Sequence, residues 1–206
     1  MPKALSALAL NGTLKTSAKG ETSSTDRMIA LLLKELEAEG IKGETIRLAD
    51  HSVLPGVTSD EGDGDAWPDI RRRILDADIL IAGTPVWMGQ PSSVIKRALE
   101  RMDAFLSEKD DKGRMPSYGK VAIVATVGNE DGAHHVSAEL FQSLNDVGFT
   151  LAPNAVGYWV GEAMGSTDFK DLDTVPDVVS GAVTMAARMA AHLARLLADK
   201  PYPSVQ

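Results

Sequence analysis

The chain has 206 residues and no cysteine, which excludes disulfides, thiolate nucleophiles, cysteine-ligated iron–sulfur clusters and cysteine-based zinc sites. Its 21 Lys and Arg against 29 Asp and Glu give a formal charge of −8, so no nucleic-acid partner is expected and any bound anion must be held locally. No apolar run approaches the roughly 18 residues of a membrane span, and the opening Met1-Pro2-Lys3-Ala4-Leu5 has no secretory signal's apolar core, which points to a cytoplasmic protein without membrane insertion.

In chain order, Ala4 to Leu10 is a short, nearly continuous apolar run ending at Asn11-Gly12, as expected of a strand buried on both faces. After a loop of small polar residues, Ser24 or Thr25 is read as the N-cap of a helix with Met28, Leu32 and Leu36 on one stripe, stopping at Gly40. Glu44 to Leu48 alternates like a strand near a sheet edge. Asp50 to Asp65 is a turn-rich acidic stretch, read as a solvated loop: it resembles a calcium loop, but its glycine is misplaced and Arg71 stands where the last Glu should be. The next helix is predicted over Trp67 to Asp76.

Asp78 to Ala82 predicts another buried strand, leading through Gly83-Thr84-Pro85 into a loop. Pro91 is read as the first residue of a helix carrying Ile95, Leu99, Met102 and Leu106. Lys120 to Val127 is a further buried strand, Val136, Leu140, Leu144 and Val147 mark a helix, and Phe149 to Val156 a last strand. Val178 to Leu197 closes the chain as a helix with Met185, Met189, Leu193 and Leu196 on one face. Five strands alternating with five helices imply right-handed crossovers and a parallel sheet covered on both sides, one α/β domain over residues 1–206.

In such a sheet, ligands bind beyond the carboxyl ends of the strands, and three loops are expected there. The first, Asn11 to Thr25, sets hydroxyls and Lys15 at a helix N-terminus, a combination suited to one phosphomonoester. Neither GxxxxGK[ST] nor a GxGxxG after a strand occurs, which demotes mononucleotide kinases and dinucleotide dehydrogenases. In the second, Thr84 to Ser93, Pro85, Trp87 and Met88 are apolar where solvent would otherwise lie and suit a planar ligand, with Gly89 admitting a close backbone N–H. The third, Val127 to His135, is a glycine-bounded turn whose amides can face an electron-rich atom. His134 and His135 make a poor metal pair, since adjacent helical residues diverge, and no metal site is expected. No GxSxG elbow supports nucleophilic hydrolysis.

Thr13, Lys15, Ser24 and Thr25, the run Thr84-Pro85-Val86-Trp87-Met88-Gly89, and Gly128-Asn129-Glu130-Asp131-Gly132 together resemble the flavodoxin-like NAD(P)H-dependent FMN reductase superfamily. Lys15 replaces the more usual Arg, and the first loop is several residues longer than the family's. The resemblance implies a flavodoxin-like doubly wound sandwich with a five-stranded parallel sheet in the order 2-1-3-4-5. It implies FMN as cofactor, bound by Asn11, Thr13, Lys15, Ser24 and Thr25 at the phosphate, and by Pro85, Val86, Trp87, Met88, Gly89, Gly128, Asn129, Glu130 and Asp131 around the ring. NAD(P)H would be the co-substrate, and a flavin, quinone or similar small molecule the electron acceptor, with no obligatory side-chain acid or base. His134 is a candidate for stabilising the reduced flavin. An FMN-binding electron carrier without hydride chemistry is the alternative. The resemblance also implies a homodimer or homotetramer, with Gly157 to Gly165 covering a neighbour's flavin.

Overall fold

Side chains of successive strand residues point to opposite faces of a sheet, and here both sets are apolar. The computed structural model describes residues 4–205; the reading of Met1 to Lys3 lies outside them. In the first strand, β1 (Ser6–Asn11), Ala7 and Ala9 enter one core while Leu8 and Leu10 enter the other. The same split recurs in β3 (Ile79–Trp87) and in β5 (Val121–Gly128). With β2 (Lys42–Arg47) and β6 (Thr150–Val160), these strands form a parallel sheet in the order β2-β1-β3-β5-β6. The two-residue β4 (Gln90–Pro91) pairs antiparallel with the end of β3. Setting β4 aside, the order is the expected 2-1-3-4-5 of a flavodoxin-like sheet.

Helices cover both faces. α1 (Ser24–Ala38) and α5 (Asp177–Asp199) pack on one core, and α2 (Trp67–Asp76), α3 (Ser93–Met102) and α4 (Ala133–Asp146) on the other. None of the described helices is long and apolar enough to cross a membrane.

Several expectations are corrected. The N-cap of α1 is Ser23, not Ser24 or Thr25: its Oγ accepts the Asp26 N–H at 3.1 Å while the Asp26 carboxylate accepts the Ser23 N–H at 2.7 Å. β3 runs on through Pro85 to Trp87 and turns back as a hairpin, because Pro85 needs no N–H partner at this end of the sheet. Pro91 therefore lies in β4, and Ser92 caps α3 by accepting the Ile95 N–H. Leu106 is exposed in a 3-10 turn that follows α3. β6 extends to Val160 and absorbs Gly157 to Val160. Trp159 packs on Phe169 of its own chain, with centroids 5.5 Å apart, and a Cβ on Gly157 would lie 3.0 Å from Val183 in α5.

The stretch before α2 is not simply a solvated acidic loop. The Asp65 side chain is fully buried and its Oδ2 lies 2.7 Å from Nη2 of Arg101, itself fully buried. Arg101 also donates to the carbonyls of Leu54 and Thr58, at 2.9 and 3.0 Å, closing the loop onto α3. In α5 the buried face is Val179, Val183, Ala186, Ala187, Ala190, Ala191, Ala194 and Leu197. Met185, Met189 and Leu196 are turned away from it and exposed, because small residues let the helix lie close to the sheet and to α1.

Candidate functional site

The winding of the sheet reverses between β1 and β3, so a crevice opens beyond their carboxyl ends. Asn11, the last residue of β1, is buried and turned back into the loop: its Oδ1 accepts the Thr13 N–H at 2.9 Å and its Nδ2 donates to Asp26. Gly12 donates its N–H to the Gly83 carbonyl at 2.7 Å, and its own carbonyl accepts the Ser92 hydroxyl. A Cβ on Gly12 would sit 2.8 Å from both the Gly83 oxygen and the Ile95 Cβ, so glycine alone permits this junction of β1, β3 and α3.

Asp26 is the hub of the first loop. Besides Ser23 and Asn11 it binds Arg47, at the end of β2, whose Nη2 lies 2.6 Å from Oδ2. Arg47 Nη1 donates to the Lys15 carbonyl at 3.2 Å and the Glu21 carbonyl at 3.4 Å, so one guanidinium ties both arms of the loop to the helix start. The second loop is the hairpin turn Met88-Gly89, with φ of 51° and 73°, the two positive values a type I′ turn requires. It stands Trp87 up at the rim, half exposed. The third loop follows β5 and leads into α4.

These loops enclose a cleft of about 310 Å³. Thr13, Leu14, Lys15, Ser23, Ser24 and Thr25 line one end, Pro85, Val86 and Trp87 one wall, and Val127, Gly128 and Asn129 the other. Asp168 and Lys170, from the chain after β6, complete it. A hollow of about 520 Å³ by Ser6, Lys42 and Arg73 lies at the opposite, amino-terminal end of the strands, where α/β sheets do not place their ligands.

Of the residues expected around a flavin, most line this cleft. Asn11 does not; it positions Thr13 and Asp26 instead. Met88 and Gly89 form the turn beyond Trp87, and Met88 is 91% exposed. Glu130 and Asp131 are also outside the lining. His134 rests edge-on against Tyr158, 5.1 Å between centroids, and His135 lies within hydrogen-bond reach of Gln90 and Glu139. The histidines thus diverge, and no group of three metal-ligating side chains occurs among the described residues.

Sequence reading overlooked Ser23, Asp26, Arg47, Asp168 and Lys170. The Ser-x-x-Asp spacing was a legible capping signal; nothing local marks the other three. Lys15 is 3.2 Å from Glu21. Lys170 donates to Asp171 at 2.7 Å, which with the nearby Asp168 and Glu21 carboxylates raises its pKa.

One atom tests whether a phosphate fits. The hydroxyl of Thr25, a residue that lines the cleft, is buried and has no hydrogen-bond partner among the described residues. Such an orphan costs about 1–3 kcal/mol, a penalty that an anionic oxygen accepting from the Thr25 hydroxyl would remove. The residues present fit FMN: a polar end for the phosphate and apolar walls for the ring.

Residues 5–163 match the family model described as NADPH-dependent FMN reductase. The 8-demethyl-8-aminoriboflavin-5′-phosphate synthase of Streptomyces davaonensis is 32% identical over 218 residues, spanning 97% of this chain and 80% of that protein. The solved structure of RosB with bound 8-demethyl-8-formylriboflavin-5′-phosphate is similar with a TM-score of 0.86 and 32% identity, covering 97% of this chain and 82% of that one. A protein of Mycobacterium bovis named divalent metal cation transporter MntH is 37% identical over 171 residues, 81% of this chain, but the chain spans only 25% of that protein's length. With the sheet order, the cleft and the match over most of its length, the chain belongs to the NADPH-dependent FMN reductase family.

Proposed function

We propose that this protein, acting as one flavodoxin-like domain in the cytoplasm, binds FMN in the cleft and carries electrons from NAD(P)H to a flavin, quinone or similar small acceptor. The observation that carries this reading is that one cleft is lined both by Lys15 and Thr25, whose buried hydroxyl is orphaned, and by the apolar Pro85, Val86 and Trp87. When bound, FMN supplies the chemistry: it takes up hydride and releases electrons singly or in pairs. Thr13, Lys15, Ser24 and Thr25 hold the phosphate. Trp87 and Pro85 cover the ring and exclude water. Gly128 and Asn129, which also line the cleft, would offer backbone amides that favour a build-up of negative charge on the ring. The test is a visible spectrum under argon. Protein mixed with FMN should bind it, and NADPH should bleach the flavin absorbance; failure to bind FMN, or binding without bleaching, defeats the proposal.

A second reading is favoured by two matches that each span 97% of the chain, one to a protein named as a synthase of a modified riboflavin phosphate and one to a solved structure, RosB, that holds such a molecule. In it the same grip holds a flavin phosphate that is itself the substrate. Mass spectrometry of the flavin recovered after aerobic incubation separates the two: an unaltered FMN mass supports the reductase, a changed mass the modifying enzyme.

We further propose that the chain self-associates, as a dimer or tetramer. Val178, Met185, Met189 and Leu196 leave an apolar stripe exposed along α5, which supports this.

A further inference from the structure

The chain after β6 returns to the first loop. Its turn Phe169–Asp171 is fastened to the start of α1 by Arg27, whose Nη1 donates to the carbonyls of Phe169 at 2.7 Å, Lys170 at 3.2 Å and Leu172 at 2.7 Å. The Arg27 guanidinium also lies 5.2 Å from the centroid of the buried Phe169 ring. The Lys170 N–H donates to the Ser24 hydroxyl at 3.2 Å. This brings Lys170 into the cleft's lining with Lys15, Ser24 and the unpartnered, buried Thr25 hydroxyl. The Lys170 side chain, about one-quarter exposed, pairs with two carboxylates adjacent in sequence, Asp171 at 2.7 Å and Asp168 at 3.9 Å.

We propose that Lys170 is a second phosphate-binding cation, which with Lys15 and Thr25 grips the phosphomonoester of the bound flavin. The inference rests on the FMN reading above. A phosphomonoester carries a charge of about −1.5 to −2 near neutral pH, which matches two ammonium groups better than one. The two lysines reach it from segments at opposite ends of the chain, and Arg27 holds the second segment in place. On binding, Lys170 exchanges Asp171 for phosphate oxygens and Lys15 exchanges Glu21. In an acidic protein this is how an anion is held locally.

The test titrates the full chain with FMN and with riboflavin, following flavin fluorescence. Lys170→Gln should weaken FMN binding about tenfold, since one charge-assisted hydrogen bond is lost, and leave riboflavin binding unchanged. Lys170→Arg should keep most of the FMN affinity, because a guanidinium also binds phosphate. An equal loss for both ligands, or no loss for either, overturns the assignment. If the wild-type chain binds neither flavin, the FMN reading fails by itself, and titration with inorganic phosphate followed by amide NMR shifts decides the lysine. Shifts at Thr25 and Lys170 that vanish in Lys170→Gln support its role; shifts that persist unchanged overturn it.

Discussion

The Thr25 hydroxyl lies in the first turn of α1, 1% exposed and without a partner. An unsatisfied hydroxyl destabilises the empty protein, whereas the same donor stabilises a bound anion. Thr25→Val, which keeps the shape, should therefore raise flavin-free stability by about 1 kcal/mol and weaken FMN binding about tenfold. Thermal melts without flavin and a binding titration check both signs, and a variant that lost both would show that the hydroxyl has a structural role. Asp65 is the opposite case, a charge fully satisfied in the interior. Burial works against its ionisation, but the Arg101 guanidinium and the amides of Glu61, Trp67 and Leu54 outweigh it and hold the carboxyl well below the usual carboxylate range. With the folded pKa below the unfolded value of about 3.9, the pair stabilises above that pH, and the contribution is lost as pH falls below it. Asp65→Asn should cost about 3 kcal/mol at pH 7, by leaving Arg101 buried and unpaired. In urea unfolding the deficit should shrink at pH 3; an equal deficit at both pH values would contradict the account. Neither role was visible in the sequence, where Asp65 ends a run of acidic residues and its partner lies 36 positions later.

At the scale of elements, the loop after β1 depends on its attachments more than on its own composition. Asp26 binds Ser23, Asn11 and Arg47, joining the helix start, the end of β1 and the end of β2. Asp26→Ala removes half of the capping box and the Arg47 anchor, which should cost about 1–2 kcal/mol. FMN affinity should fall as well, because Lys15 loses the guanidinium that holds its carbonyl. A lowered urea midpoint with undiminished flavin affinity would separate the anchor from the site. The strands and helices themselves were legible, since buried strands are continuous apolar runs and α1 to α4 repeat apolar residues at helical spacing. Boundaries were less so. β3 passes through Thr84-Pro85 into a hairpin that composition alone reads as a loop, and its turn is decided by two positive φ values at Met88 and Gly89.

For the whole molecule, the side of α5 that is buried matters most. Met185, Met189, Leu193 and Leu196 were expected on one face; the helix buries alanines, Leu193 packs partly against the core, and Met185 and Met189 are exposed at 48% and 37%. If this stripe joins two copies, Met185→Glu with Met189→Glu should lower the light-scattering mass to that of a monomer, since two charges would be forced into an apolar contact. A wild-type chain already monomeric would remove the prediction. The sequence by itself determined the α/β alternation, the parallel sheet and the three loops beyond its strands, because hydrophobic period and turn chemistry are local properties of the chain. It also placed Thr13, Lys15, Thr25 and Trp87 among the lining residues, because such sheets bind ligands where their strands end. Only the tertiary structure brought Lys170 to Ser24, Arg47 to Asp26 and Arg101 to Asp65, and only it decided which side of α5 is buried. These contacts join residues far apart in the chain, and no periodicity within one segment records which distant side chain will fill the space beside it.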